Sequence, residues 1–435
     1  MSGTFRSLRV RNYRLFAGGQ LVSLTGSWMQ RTGQDWLVLR LSHSSGSAAG
    51  ITMGLQFLPI MLLGLHAGVV ASRFPKRAVL VVTQTSMALT ALALALLTAT
   101  GAVTLHEVYL LAFVLGCATA FDNPARQAFV SEMVGPDDIA NAVGLNSATF
   151  NGARLLGPAL AGLLIETAGT SVVFFANVAS FGAVLAGLLA MREDELVRVA
   201  PLVRARGQVR EGIAYVRSRR DLVATMALMG VVGMLGLNFQ ITLALVDKTV
   251  FHRGAAGYGL LSSLLAVGSL LGALSGARGR RPTARTMATL AFTFGVAEAT
   301  AGVMPSYIAL GILLIPTGYT SMALLTSANS AIQLGSDPEM RARAMSLYLI
   351  VFAGTTPIGA PLVGWISEIA GARAGLLVGG VASVAAALVY LAVHVRERRG
   401  AIGPVALVRD TASTLAVLDG AAGATLAAPA SPGAA

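Results

Sequence analysis

Residues 151–169 read NGARLLGPALAGLLIETAG, an apolar run that holds one arginine, a Gly-Pro pair and one glutamate near its exit. Residues 359–371, GAPLVGWISEIAG, match it at an offset of 202, which sets Gly157, Leu160, Gly162, Glu166, Ala168 and Gly169 opposite Gly359, Leu362, Gly364, Glu368, Ala370 and Gly371. At the same offset Pro136 and Asp137 meet Pro338 and Glu339. Both places read as helix starts: proline suits the first helical position, acids favour the first turn, and Asp337 reads as an N-cap. Two Gly/Ala-rich apolar helices resemble one another by composition alone. Matching starts together with matching E-x-A-G exits point instead to an internal repeat.

The chain of 435 residues is 55% hydrophobic and 12% charged, with a mean hydropathy of +0.71. A soluble domain carries about 25% charged residues. Stretches such as Ala78 to Thr100 and Thr170 to Met191 contain no charge, and each is long enough as a helix to cross a hydrocarbon core of about 30 Å. Helices are expected because lipid offers the backbone no hydrogen-bond partner. Twelve such spans are predicted, at 15–40, 47–71, 79–100, 106–125, 139–166, 170–191, 222–248, 256–277, 284–304, 306–332, 342–367 and 373–393. The basic start resembles a signal-peptide n-region, but the first span is too long and carries Arg31 and Asp35, so it reads as retained.

A net charge of +12 raises the question of nucleic acid, which the placement of the charges answers. With the N-terminus inside, 26 of the 32 basic residues fall in segments assigned to the cytoplasm, and only Arg40, Lys248, Arg253 and Arg373 fall outside. That bias predicts a multi-pass protein of the cell membrane with both termini cytoplasmic. Charges spread over seven loops without interleaved aromatics argue against a nucleic-acid surface. The single Cys117 and five scattered His supply no disulfide and no metal-ligand spacing, and no GxxxxGK[ST] loop is present. No cofactor, metal or enzymatic constellation is implied.

The polar stretch between the sixth and seventh spans divides the chain into a six-helix bundle at 1–191, a cytoplasmic linker at 192–221 and a second bundle at 222–395, followed by a low-complexity tail at 396–435 that reads as disordered. Within the linker, REGIAYVRSRRD (210–221) reads as a short amphipathic helix on the membrane surface. Parallel repeats of six helices are the architecture of major facilitator transporters, with substrate held between the halves near midplane. The chain also resembles the exporter branch of that superfamily, which includes the enterobactin exporter and macrolide efflux proteins. FRSLRVRNYRLFAGGQLVSLTGSWMQ at residues 5–30 and the stretch from Asp122 to Leu164 carry the resemblance, which runs from residue 5 to about 395.

The resemblance implies two motifs. The antiporter pattern G-x8-G-x3-G-P-x2-G-G is met at Gly144, Gly157, Pro158 and Gly162, with Ala153 and Ala161 where glycines are usual. Small residues there let helix backbones approach closely. In the family this packing accompanies proton-driven export. After the second span the pattern G-x-x-x-D-R-x-x-R-[RK] is met at Gly68, Arg73 and Arg77, but Ser72 replaces the acid that ordinarily pairs across the cytoplasmic gate. Asp122 is a substitute partner for Arg73, and Arg126 joins this gate set. The second-half equivalent, GALSGARGRR at 272–281, is degenerate.

An ionisable side chain at helix centre costs about 2.5–3.5 kcal/mol on insertion scales. Arg31 and Asp35 share one helix face by their i, i+4 spacing, and Arg154 lies three residues before the Gly-Pro pair. These three are the proton-coupling candidates. If Asp35 pairs with Arg31 or Arg154, protonation releases the pair; the alternative is a permanent ion pair that only fixes packing. Met29, Gln34, Asn238, Phe239 and Gln240 are candidate substrate contacts. Trp28, Trp36 and Trp365 fit either a cavity lining or interfacial anchors. Glu298 reads as a packing carboxylate, and Glu166 and Glu368 as solvated. The expected function is a proton-coupled exporter of a small organic molecule (drug, siderophore or secondary metabolite), with protons and membrane lipids as its other partners. An importer or lipid flippase of the same fold, or a non-transporting membrane sensor or scaffold, stays open, as does the oligomeric state.

Overall fold

The computed structural model describes residues 3–197, 208–276 and 282–401. Positions 278, 280 and 281 of the degenerate loop motif, part of the linker and the tail from 402 onward lie outside the described residues. Among those described, every regular element is helical. The first half comprises Arg11–Leu41 (α1), Gly46–Arg73 (α2), Lys76–Ala99 (α3), Leu105–Met133 (α4), Ile139–Ala168 (α5) and Thr170–Leu189 (α6). Gln208–Ser218 (α7) is the amphipathic linker helix. The second half follows as Arg220–Val231 (α8), Phe239–Thr249 (α9), Ala255–Gly276 (α10), Ala284–Val303 (α11), Tyr307–Gly335 (α12), Arg341–Ala370 (α13) and Ala372–Ala401 (α14).

Eleven segments of the described residues are long and apolar enough to cross a bilayer. α1 supplies the twelfth span. Its 31 residues reach about 46 Å, and its hydropathy is lowered by charged residues such as Arg31 and Asp35 and by buried polar ones such as Gln20, Gln30 and Gln34. The start of α1 and the end of α14 share one face of the molecule, the terminal face. The loops at 42–45, 169, 250–254 and 371 mark the opposite, far face.

The seventh span departs from a continuous helix. α8 and α9 are joined through a π-turn at Val232–Gly236, and Leu237 donates to Val232 O at 3.1 Å. Gly233 and Gly236 weaken the local helix. The place is also crowded: a Cβ on Gly359 would strike the Met234 backbone, and one on Gly236 would meet the Glu298 carboxyl at 3.0 Å. The extra residue per turn lets the span pass both neighbours.

Packing repeats between the halves. α1 lies on α5 and α6, α2 on α4, and α3 on α4 and α6; correspondingly the seventh span lies on α13 and α14, α10 on α12, and α11 on α12 and α14. The halves meet where α2 runs along α13 and α5 along α10. Exchanging the halves turns one of these contacts into the other, so an approximate two-fold axis runs between them. Small residues make both seams possible. Cβ atoms on Gly46 and Gly50 would collide with the backbones of Gly364 and Ala360, and one on Gly162 with that of Ala255.

The E-x-A-G exits have a structural meaning on this axis. Gly169 and Gly371 end α5 and α13 at φ +89° and +92°, a region open to glycine and strained for other residues. One turn earlier, each glutamate reaches across to the other half. Glu368 Oε2 accepts from Ser47 N at 2.8 Å and Ser45 Oγ at 2.9 Å, while Glu166 Oε1 accepts from Ala256 N at 3.0 Å. The expectation of merely solvated carboxylates is therefore corrected: both are exposed at the rim, yet each caps the N-terminus of a helix in the opposite half. An anion there also meets the positive end of the helix dipole, worth about 0.3–1 kcal/mol per cap.

Replacing both caps, Glu166→Ala with Glu368→Ala, is expected to raise the open-to-closed ratio of the far face roughly three- to thirtyfold. Spin labels at Ala102→Cys and Val303→Cys in a Cys117→Ala background would read this as a longer-distance population. An unchanged distance distribution would remove the caps from the closure.

Candidate functional site

α1 organises the interior. Ser23, Ser27, Gln30 and Arg31 fall on one face at helical spacing and line a cavity of ≈ 440 Å³ inside the first half. It is completed by side chains that include Gln84, Asn123, Arg126, Gln127 and Asn146, and so extends toward the terminal face. A second cavity of ≈ 320 Å³ lies between the halves, walled by α1, α2, α5, the seventh span, α10, α12 and α13. Trp28, Arg31 and Phe57 belong to both cavities and connect them.

Gly157 creates the meeting point. A Cβ there would lie 3.2 Å from Met29 N and would run into Trp28 Cβ, so only glycine lets α1 and α5 approach so closely. This contact brings Arg154 of α5 to the indole of Trp28 on α1, with its guanidinium carbon 5.9 Å from the ring centroid. Arg31 lies over the same ring at 5.1 Å and over Phe57 at 5.8 Å. Of the remaining antiporter-motif residues, Pro158 and Gly162 pack on α10, whereas Gly144 has no heavy atom within 4 Å of its would-be Cβ.

Asp35 pairs with neither arginine. Its Oδ2 accepts from the Tyr258 hydroxyl at 2.8 Å, a bond from α1 to α10 that ties the halves together. Tyr258 is itself 1% exposed and lines the central cavity, so Asp35 stands behind it. Other bonds between the halves lie at mid-depth or beyond: Ser263 Oγ donates to Leu155 O at 2.8 Å, and Lys248 Nζ to Leu39 O at 2.7 Å with its ammonium 5.5 Å from the Trp36 ring. A buried apolar cluster including Leu37, Leu39 and Ala48 with Leu243, Leu245 and Leu261 seals the same region. Among the described residues, no hydrogen bond or ion pair between side chains of the two halves is found on the terminal side.

The substrate-contact candidates separate. Phe239 and Gln240 line the central cavity. Met29 packs against Ala161 and Val173 inside the first half, Gln34 is buried outside both cavities, and Asn238 turns back to donate to Met234 O at 2.8 Å. Trp28 faces the cavities, while Trp365 is 53% exposed on the outer surface. Gln30, Phe57, Tyr258 and Ser262 were not among the candidates. The polar spacing of 23, 27, 30 and 31 on α1 is a signal for Gln30; nothing local marks Tyr258.

The gate candidates bind within their own half. Asp122 is fully buried, accepts from Thr83 at 3.0 Å and Gln84 at 2.7 Å, and forms its ion pair with Arg126 rather than Arg73. Arg126 also donates to Gln20 at 3.1 Å. Arg77 pairs with Glu193 and donates to Leu188 O at 2.7 Å, while Lys76 pairs with Glu132 at 2.7 Å, latching the α2–α3 loop to the ends of α4 and α6. Gly68 lies in the last turns of α2, and Arg73 at its end lines a surface groove beside that loop.

A multi-span bundle of two equivalent halves around a shared cavity has the architecture of a membrane transporter of the major facilitator superfamily. The chain belongs to that superfamily's transmembrane secretion effectors, a family it matches over residues 2–412. It is 23% identical to the staphyloferrin A transporter of Staphylococcus aureus over 267 residues, 60% of this chain and 66% of that relative. It is 24% identical to the multidrug efflux pump Tap of Mycobacterium tuberculosis over 375 residues, 82% of this chain and 87% of the pump. The bacterial homologue of the human lysosomal transporter Spinster, solved in an inward-facing and unoccupied conformation, superposes with a TM-score of 0.68 at 14% identity, covering 88% of this chain and 95% of that one. The fold and exporter-branch resemblance read from the sequence are thereby borne out, and the protein is a transporter rather than an enzyme.

Arg126→Ala is expected to leave the Asp122 carboxylate buried without its cation, at a cost of about 3–5 kcal/mol. Thermal unfolding in detergent should show a large drop in midpoint, with much of it recovered in Asp122→Asn/Arg126→Gln. Equal stability of wild type and Arg126→Ala would contradict the pairing.

Proposed function

We propose that the protein is a proton-coupled exporter that moves a small organic molecule across the cell membrane by alternating access. The observation that carries the reading is the central cavity, walled by both halves and closed at the far face by bonds that cross between them. The excess of basic residues on the terminal face favours that face as cytoplasmic, so the conformation corresponds to loading from inside. The names of the relatives, a staphyloferrin A transporter and a multidrug efflux pump, support a small organic cargo, and the second supports export.

Asp35 is the coupling group in this reading. In the outward-open arrangement Asp35 takes up a proton from outside, and the neutral carboxyl, still accepting from Tyr258 through its carbonyl oxygen, is buried as the far face shuts. With the cavity open to the inside that proton is lost to the cytoplasm, and the carboxylate left in apolar surroundings favours return to the outward-open arrangement, on which the cargo is carried out. Proton and cargo thus cross in opposite directions through one two-state element. Arg31 and Arg154 stand at the cavity end of this chain and face the cargo. Gly157, Pro158 and Gly162 form the surfaces on which α5 moves against α1 and α10. Asp122 with Arg126, and Lys76 and Arg77 at the α2–α3 loop, keep the terminal end of the first half rigid while it swings.

The test is transport by the full chain in proteoliposomes under an imposed pH gradient, with a panel of candidate compounds. Asp35→Asn is expected to abolish acceleration by the gradient, a loss of about tenfold or more, while gradient-independent exchange persists. Gradient-dependent transport that survives Asp35→Asn would remove Asp35 from the coupling. Binding without gradient-dependent movement in wild type would favour a sensor.

A further inference from the structure

We infer that the cargo is an organic anion, its charged oxygens held by Arg31 and Arg154 and its apolar body laid against Trp28 and Phe57. The inference rests on the exporter reading only for the direction of movement; the binding chemistry stands on the cavity itself.

Both guanidiniums border the cavity between the halves. Among the described residues, neither makes a hydrogen bond or an ion pair, so the five N–H donors of each are without a protein acceptor. Their contacts are aromatic faces, Trp28 for both and Phe57 for Arg31. Stacking orients a guanidinium plane and leaves its edge N–H groups free. The sole nearby carboxylate on α1, Asp35, is engaged by Tyr258.

The walls around them carry one sign of charge. The residues lining the central cavity and its extension into the first half include Arg31, Arg126 and Arg154 and no Asp or Glu. Arg126 is matched by Asp122. Arg31 and Arg154 share an indole, repel each other and make no ion pair; Asp35, four residues along α1 and held by Tyr258, offsets Arg31 only in part. A cationic cargo would add to that repulsion; a neutral one would leave two charged groups unsatisfied in a low-dielectric region. An anionic oxygen between them relieves both, and a carboxylate or phosphate matches the guanidinium edge bidentately. Because both arginines touch Trp28, one small ligand reaches the pair. Ser262, Ser269 and Gln240 add neutral hydrogen-bonding groups on the opposite wall.

The assignment also has an electrical consequence. Carrying net negative charge outward while a proton moves inward shifts charge in the same direction twice, so transport is electrogenic and accelerated by an inside-negative potential.

The decisive experiment uses three probes of one shape and different charge, 2-naphthoate, 2-naphthamide and 2-naphthylmethylamine, titrated calorimetrically into the full chain in nanodiscs. Naphthoate is expected to bind at least about tenfold more tightly than the amide or the amine. Arg31→Gln and Arg154→Gln should each erase that preference, and Arg31→Lys, which keeps the charge but loses the fork, should retain part of it. Melting temperatures of the variants separate loss of the site from loss of the fold. Equal or tighter binding of the amide or amine, no binding of naphthoate at millimolar concentration, or unchanged naphthoate affinity in folded Arg31→Gln and Arg154→Gln would each overturn the proposal. The titration needs no gradient: anion-selective binding without gradient-driven efflux would sink the exporter reading and leave the site standing, while gradient-driven efflux of neutral or cationic compounds alone would do the reverse.

Discussion

The architecture depends on two helix seams in which backbone meets backbone. In a membrane, apolar surface gains little by exchanging lipid for protein, so association rests on close packing and on polar contacts that lipid cannot supply. Glycines at positions 46, 50, 162 and 364 bring α2 to α13 and α5 to α10 at main-chain distance. The glutamates at the ends of α5 and α13 then reach the amide ends of the helices opposite. Each seam alone would be a hinge. Two of them, related by the approximate axis, close the far face at both edges and leave the cavity between them.

The charges within the bundle follow from that geometry. An ion inside a bilayer has to be matched or put to use, and the two solutions are side by side here. Asp122 is matched, held by Arg126, Gln84 and Thr83 in the rigid interior of the first half. Arg31 and Arg154 are left open to the cavity, stacked on one indole. Asp35 lies between these extremes, hydrogen-bonded to a tyrosine of the other half, so its protonation state bears on whether the halves stay joined. Gly157 links the two themes, since the close approach of α1 and α5 at that residue sets both arginines around Trp28.

Much of this was legible in the chain. Long uncharged runs required spanning helices, because no other structure satisfies the backbone in lipid. The match of residues 151–169 to 359–371 implied two equivalent halves, and the E-x-A-G exits correctly marked where α5 and α13 stop. Gly157 was recognised as a close-packing residue. The break in the seventh span was not foreseen, because the pressure that Gly359 and Glu298 put on the turn at Gly233 and Gly236 comes from other helices and leaves no local mark in the run 222–248. The solvated appearance of Glu166 and Glu368 misled for a similar reason: their partners are main-chain amides, which carry no side-chain signature.

What the sequence determined by itself are the properties that arise from local periodicity and composition: helical spans, their number, the two-fold repeat, the charge bias of one face and the presence of expensive ions at known heights. What the tertiary structure alone decided is which of those ions meet. Asp35 and Arg31 share a helix face at a spacing that invites a pair, yet the carboxylate turns to Tyr258, 223 positions along the chain. Spacing within a helix fixes a direction only to within a side chain's reach. The choice of partner is made by the neighbouring helix, and that neighbour is set by the packing of both halves together.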